Sequence, residues 1–528
     1  MSDNPTLRVV DARVPMRDGV RLATDIVIAD ATEPRPVLLV RTPYGRASIW
    51  AAHDPTGFAR RGWAVVVQDV RGRGQSEGAF RPFFQEIDDG ADTIAWCAEQ
   101  TWSDGRVVMT GFSYNGATQW LAALAHPPAL KAISPSVIPT DFLDEFAYEG
   151  GAFQQGFLSS WAISLASSST DAVVASRSLE LVPAWPSLLA EGAGREMIGA
   201  AFPDYLRWVP RDEDYWRAVD VAGQLAEVDL PVWRLAGWYD IFCEGTLRSY
   251  SEMSARSPSD YARRSQRLIV GPWVHAGMHQ TATPEMEFGA DAHGLALAAE
   301  LEDFLRASLD GAPTVSGVTV FVMGENAWRD LPSWPPPSNP WALYPQPDGR
   351  LENKPALENR ISLHHDPNAP VPTRGGRTLQ GGLPVAGPVD QRLVEQRPDV
   401  LVWTSEPLEQ QVTVIGLVTA QLEVVSDAPG FDLVVKLCDV HPDGRSMNVV
   451  DSIQRTRGEP GQRHVVEVQV GSTAMTFLPG HRIRLDVACS NFPRFDLLPA
   501  SEQTLQLGGS FVVLPVVPLS REAGPARG

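Results

Sequence analysis

Cysteine is scarce in this 528-residue chain: Cys97, Cys243, Cys438 and Cys489 stand far apart and form no C-x-x-C pair. That spacing excludes a zinc-finger framework and a disulfide scaffold, and a reduced, cytoplasmic protein is the expectation. Basic residues are also in deficit. Lys+Arg 44 against Asp+Glu 64 leaves a net charge of −20, with no Lys/Arg-rich block, so neither nucleic acid nor an anionic membrane is an expected partner. No apolar run reaches the ~18 residues of a membrane span, and the opening MSDNPTLRVV lacks the basic start and apolar core of a signal peptide. Internal repeats are absent. What is plentiful is core material: 44% hydrophobic residues, 16 tryptophans, and 44 each of glycine and proline to make turns. This is an ordinary globular composition. At roughly 150 residues per domain, the length suggests about three domains.

The first third alternates strand and helix signals. TLRVVDARV and GVRLATDIVIA read as paired strands joined at MRDG, followed by the short β-branched runs PVLLVR and WAVVVQDV. Runs of that kind are buried on both faces in a parallel sheet. DDGADTIAWCAEQ is predicted as a helix, RVVMTG as a strand, YNGATQWLAALAH as a helix and LKAISPSV as a strand. The series predicts an α/β domain with helices on both faces of a parallel or mixed sheet. Between residues 141 and 224 the strand signal gives way to helical, aromatic-rich sequence, the pattern of a lid inserted into that domain. Strands resume at LPVWRLAGW, RLIVGPW and GVTVFVMG, and the Pro-rich LPSWPPPSNPWALYPQP reads as a rigid connector. Beyond it, short alternating strands separated by turn signals such as PDG and PG predict an all-β sandwich or jelly roll. The expected division is therefore 1–140 with 225–335 as the α/β domain, 141–224 as the cap, and 336–528 as the jelly roll.

GFSYNGATQW, residues 111–120, lies where a buried strand turns into a helix. A serine there is either a helix cap or the nucleophile of an elbow, where a strained turn lifts one hydroxyl above a parallel sheet. The elbow reading requires an acid and a histidine later in the chain, each following a strand. Asp240 ends LPVWRLAGWYD and His275 follows RLIVGPWV, in the required order. A serine hydroxyl is a poor nucleophile at neutral pH, so an imidazole must take its proton as it attacks. Asp240 would hold His275 in the right tautomer. The oxyanion formed on attack needs donors. One is the backbone N–H of Tyr114, after the serine. In RTPYG, Pro43 lacks an N–H, and the Tyr44 hydroxyl can donate instead.

Each of these residues has a plainer alternative: Asp240 capping the following helix, Tyr44 packing under its loop, His126 at the C-terminal end of the elbow helix as a dipole partner. His275 and His279 are four apart, a metal-ligand spacing on a helix. Pro272 and Gly277 disfavour a helix there, and position 276 is alanine rather than the glutamate of a zincin. Neither a metal nor another cofactor is expected.

The stretches VPMRDGVRLATD, RTPYG, VVVQDVRGRGQSEG, GFSYNGATQW, AGWYD, GPWVHAG, KLCDVHPDGRS and GHRIRLDV…FPRFD span nearly the whole chain. Together they resemble the family of cocaine esterase, X-Pro dipeptidyl-peptidase and the β-lactam acylases and ester hydrolases. The second glycine of the elbow is Gly116, one place later than in the general G-x-S-x-G pattern, as in that family. The resemblance implies an α/β-hydrolase domain with an inserted helical cap and a C-terminal jelly roll. It implies Ser113 as nucleophile with Asp240 and His275, and Tyr44 with Tyr114 as oxyanion hole. The activity implied is cleavage of small-molecule esters, or amides, through an acyl-enzyme. The alternatives on the same fold are an X-Pro dipeptidyl-peptidase and a β-lactam side-chain acylase. From a different class, a non-catalytic binding protein has no need of all three triad residues.

In the amino acid ester hydrolases, carboxylates two and three places after the catalytic aspartate help to bind an ammonium. Here those places hold Phe242 and Cys243. Phe242 matches an aromatic that lines the acyl pocket of cocaine esterase, and Phe157 and Trp161 of the cap are candidate walls. Asp141, Asp144, Glu145 and Glu149 could supply charge for a free amino terminus. FPRFDLLPA departs from the asparagine usual in the family. The sequence leaves the assembly state, monomer or homo-oligomer, open.

Overall fold

The computed structural model describes residues 6–518 apart from 30–32, 53, 170–171, 182–193, 210, 276, 279, 295–296 and 380–384. Ten strands build the central sheet: β1 (Leu7–Pro15), β2 (Arg21–Ala29), β3 (Arg35–Thr42), β4 (Ala64–Asp69), β5 (Ser103–Phe112), β6 (Leu130–Ser136), β7 (Val232–Tyr239), β8 (Gln266–Val274), β9 (Gly317–Val322) and β10 (Ala327–Leu331). Their order across the sheet is β1-β2-β4-β3-β5-β6-β7-β8-β9-β10. From β4 to β9 neighbours run parallel, and antiparallel strands close both edges. AVVVQD of β4 and VWRLAGWY of β7 are buried at every position, because helices cover both faces of a parallel sheet. Trp120 and Leu121 of the helix Tyr114–Leu124 pack on one face, and Trp63, Phe304 and Leu305 on the other.

The polypeptide leaves the sheet after β6 to form the cap and returns at β7. A wide π-type turn, Phe142–Ala147, leads to the helix Gln155–Ser167, which is buried around most of its circumference. The cap is not purely helical. Tyr148–Glu149 and Ala152–Phe153 pair as a small hairpin, which the sequence reading missed because two-residue strands carry no periodicity.

In the C-terminal part every described strand pair is antiparallel. One sheet holds Leu351–Glu352, Asn339–Pro345, Ser501–Val516, Val412–Ser426 and Arg463–Phe477, with Arg360–His365 also on Ser501–Val516. The other holds Val400–Thr404, Arg482–Ala488, Gly430–Val440 and Ser446–Arg457. Along Ser501–Val516 buried and more exposed residues largely alternate, as in a strand with one face on the core. The Pro-rich connector is shorter than predicted. Asn339–Pro345 pairs with Ser501–Val516, with Pro340 opposite Pro515. Leu343 enters the core there, and burial outweighs the poor strand propensity of proline.

The sandwich is fastened to both other parts. Its core is continuous with Trp238 of β7 and Val320 of β9, and Met323 exchanges backbone hydrogen bonds with Ala474 and Thr476 at 2.9 and 2.8 Å. The cap hairpin is held by Arg494 on Glu149 at 2.8 Å and by the Phe153 amide on Asp496 at 2.9 Å.

Candidate active site

Ser113 follows β5 directly and precedes the helix Tyr114–Leu124, with φ 57° and ψ −133°. A non-glycine residue in that region costs on the order of 1–3 kcal/mol and persists only where its surroundings over-determine it. Both flanking glycines are dictated by close approach. A Cβ on Gly111 would lie 2.6 Å from the Asn115 Cβ, and one on Gly116 2.7 Å from Ile138 Cγ2. The second contact explains the spacing G-x-S-Y-x-G, since position 116 is where the helix lies against the chain leaving β6.

Asp240 and His275 each stand one residue past a strand of the same sheet, β7 and β8. Parallel strands deliver their C-terminal ends to one edge, so residues 113, 240 and 275 meet. His275 Nε2 lies 3.0 Å from Ser113 Oγ, and His275 Nδ1 lies 2.6 Å from Asp240 Oδ2. Asp240 is fully buried, and its other oxygen accepts the Phe242 amide at 2.6 Å. That bond aims the carboxylate at the imidazole.

Tyr44 sits in the loop after β3. The residue is 40% exposed, but its hydroxyl is turned inward and accepts from Trp161 Nε1 at 3.3 Å. Desolvation pushes its pKa up, against hydrogen bonding with Trp161 and Ser113, so the phenol stays a neutral O–H donor. Tyr114 opens its helix, where backbone amides have no intrahelical acceptor. Its side chain is locked: the hydroxyl donates to Glu86 at 3.1 Å and accepts the Phe83 amide at 2.8 Å, and Arg41 pairs with Glu86 at 2.6 Å.

A cavity of about 330 Å³ opens onto Ser113 and His275, walled by Tyr44, Phe146, Phe157, Trp161 and Leu379 among others. Phe157 and Trp161, the two cap aromatics expected as walls, are among the residues that line it. Phe242 stands behind the wall, 1% exposed, edge-on to His275 at 5.4 Å and stacked on Phe146 at 5.8 Å. Phe146, Phe83 and Leu379 were not singled out in the sequence; Phe146 shares its signal, an aromatic at helical spacing, with ordinary core residues. The four acidic candidates all have other partners. Asp141 caps the π-type turn, Asp144 pairs with Arg211, Glu145 with Arg248 and Glu149 with Arg494. None of them lines the cavity. His126 lies exposed beyond the elbow helix, and His279 lies outside the described residues.

Comparison with known proteins gives two family matches: the X-Pro dipeptidyl-peptidase (S15 family) over residues 18–277, and the X-Pro dipeptidyl-peptidase C-terminal non-catalytic domain over 311–515. The chain is 34% identical to a cocaine esterase of Rhodococcus sp. (strain MB1 Bresler), over 92% of this chain and 91% of that one. The chain belongs to the S15 family. As a member of it, the protein is a hydrolytic enzyme with an α/β-hydrolase domain, a cap and a C-terminal β-domain. Among solved structures, an aminopeptidase from a Thaumarchaeota archaeon of marine sediment superposes with a TM-score of 0.81 at 25% identity, covering 98% of both chains. An α-amino acid ester hydrolase gives a TM-score of 0.79 at 24% identity, again covering 98% of both chains. The latter likeness is one of fold. No helix among the described residues is long and apolar enough to cross a membrane.

Proposed function

We propose that the protein is a serine esterase in which Ser113 is the nucleophile, His275 the general base and acid, and Asp240 the residue that orients and charge-balances the imidazole. The observation that carries this reading is the unbroken chain Ser113 Oγ–His275 Nε2–Asp240 at 3.0 and 2.6 Å. Attack of Oγ on the substrate carbonyl passes the hydroxyl proton to Nε2 and leaves Nδ1–H donating to Asp240. The tetrahedral oxyanion then accepts from the Tyr44 hydroxyl and the Tyr114 amide. Collapse expels the alcohol, which takes the proton back from Nε2, and an acyl-serine remains. A water activated by the same imidazole hydrolyses it, releasing the acid and restoring the serine. General-base assistance of this kind contributes about 10²–10⁴ in rate.

The cavity favours a neutral, apolar or aromatic acyl group, since its described walls are mostly aromatic and aliphatic and carry no carboxylate. An aminopeptidase must hold a substrate ammonium. The four acidic candidates of the cap, Asp141, Asp144, Glu145 and Glu149, are each tied to an arginine or to a backbone turn. The four cysteines are buried and unpaired, which fits a reducing cytoplasmic setting.

A fluorophosphonate probe should modify Ser113 and abolish turnover. Folded protein left unlabelled would favour the binding-protein reading. A panel of p-nitrophenyl esters set against aminoacyl-prolyl anilides should show preference for esters of aromatic acids; faster cleavage of the anilides would point to a peptidase.

A further inference from the structure

Far along the sequence from the triad, the C-terminal sandwich gathers two imidazoles and a carboxylate at the end of one sheet. Strands Gly430–Val440 and Arg482–Ala488 pair antiparallel, with Asp439 opposite Ile483 and Val440 opposite Arg482. One further step of that register sets His441 across from His481. Directly opposed residues of an antiparallel pair share a face, and so do residues two apart on one strand. Asp439, His441 and His481 therefore project on the same side. The two imidazole rings lie 4.6 Å apart between centroids. His481 Nδ1 is 2.9 Å from each Asp439 oxygen, His441 Nε2 is 3.4 Å from Oδ2, and one ligand atom from each residue lies within 4.8 Å of the others.

We propose that Asp439, His441 and His481 form a binding site for a divalent transition-metal ion, of the class to which zinc belongs. Around an ion held at about 2.0–2.2 Å by nitrogen and oxygen in a tetrahedral set, neighbouring ligand atoms stand about 3.3–3.6 Å apart. The 3.4 Å from His441 Nε2 to Asp439 falls in that interval before any ion is added, and the 2.9 Å hydrogen bond of His481 to Asp439 would open by about half an ångström to admit one. His441 Nε2 is buried without a hydrogen-bond partner, so a lone donor atom faces the carboxylate at the distance a shared ion would set. Both histidines are held by their turns. His441 donates its amide to Arg445 and accepts that of Gly444, and His481 donates its amide to Leu478. Two imidazoles with one carboxylate suit zinc, cobalt, nickel or copper rather than magnesium or calcium, which prefer all-oxygen sets. The imidazoles keep 16% and 12% of their side-chain surface exposed, leaving access for the ion and for water as a further ligand. Bound there, the ion would tie the turn after Gly430–Val440 to the turn before Arg482–Ala488.

Calorimetric titration of the full chain with zinc chloride, with metal analysis after dialysis, tests this. The expectation is one zinc per chain, weakened at least tenfold by His441→Ala and lost in Asp439→Asn. His364→Ala, which removes an exposed imidazole beside Glu502, should bind as the unaltered protein does. Cobalt(II) absorption should report nitrogen–oxygen ligation and change with His441→Ala. Ester hydrolysis by His441→Ala should stay within about twofold of the parent, which certifies its fold even if Asp439→Asn does not fold. No zinc uptake by the parent, or equal uptake by His441→Ala, would overturn the proposal and leave the Asp439–His481 contact as an ordinary hydrogen-bonded pair.

Discussion

Replacing Tyr44 by phenylalanine deletes one oxygen and little else, so it isolates the oxyanion contact. In the proposed mechanism two donors serve the developing charge, the Tyr44 hydroxyl and the Tyr114 amide, since Pro43 has no N–H. Loss of one such donor costs about 2.7–4 kcal/mol in the transition state, or about 10²–10³ in kcat. The remaining ring should keep its edge-on packing on Tyr114, with centroids 6.5 Å apart at 77°, so the cavity keeps its shape. Trp161 Nε1 loses an acceptor at 3.3 Å. Trp161 is only partly buried, so that loss should sit near the low end of the roughly 1–3 kcal/mol given for an orphaned buried donor. The assay is steady-state hydrolysis of a p-nitrophenyl ester, with the acyl-enzyme burst recorded separately. The drop should fall on kcat, with KM nearly unchanged, because the donor acts on charge that exists only after attack. A Tyr44→Phe enzyme with kcat within about threefold of the parent would refute the hydroxyl's role, being far short of the loss of a donor.

Asp240→Asn should keep the fold and lower kcat about 10⁴-fold, because an amide cannot enforce the tautomer that leaves Nε2 free to accept; a loss below about tenfold would contradict the assignment, and ester turnover measures it. Burial raises the Glu145 carboxyl from 4.5 to about 7, against the pull of Arg248. The folded protein therefore holds a proton there that the unfolded chain has released, and that stabilisation, present at low pH, is lost as pH rises through about 7, by up to about 3 kcal/mol. Glu145→Gln cannot ionise, so its melting temperature should gain on the parent between about pH 5 and pH 8; a pH-independent difference would count against this. Phe242→Ala removes a ring packed on Phe146, Phe157 and His275 and should cost about 3–5 kcal/mol in chemical denaturation. In turnover assays it should also shift preference toward bulkier acyl groups, and an unchanged ester profile would show that Phe242 does not shape the cavity.

Much of the hydrolase core was readable because its determinants are local. Unbroken apolar runs such as AVVVQD belong to strands covered on both faces, and a serine between β5 and its helix belongs to a turn that glycines at 111 and 116 make feasible. Asp240 and His275 could be expected to meet Ser113, as they do, because a parallel sheet brings every strand's C-terminal end to one edge. The family resemblance then extended that reading along nearly the whole chain. The cap hairpin and the strand Asn339–Pro345 escaped, the first for lack of length and the second because its prolines mask a pairing made with residues 169 to 177 places later.

By itself the sequence determined the order of strands and helices, the strained serine turn and the kinds of side chain that follow each strand, since backbone preferences and apolar periodicity act over a few residues. Only the tertiary structure decided that Phe146 and Leu379 face the serine, that Phe242 stacks on Phe146, and that Asp141, Asp144, Glu145 and Glu149 are already engaged. It alone brought Asp439 and His441 to His481, across a strand register set by packing of the whole sandwich. Such contacts depend on which face each element buries and against what, and no short stretch of residues carries that information.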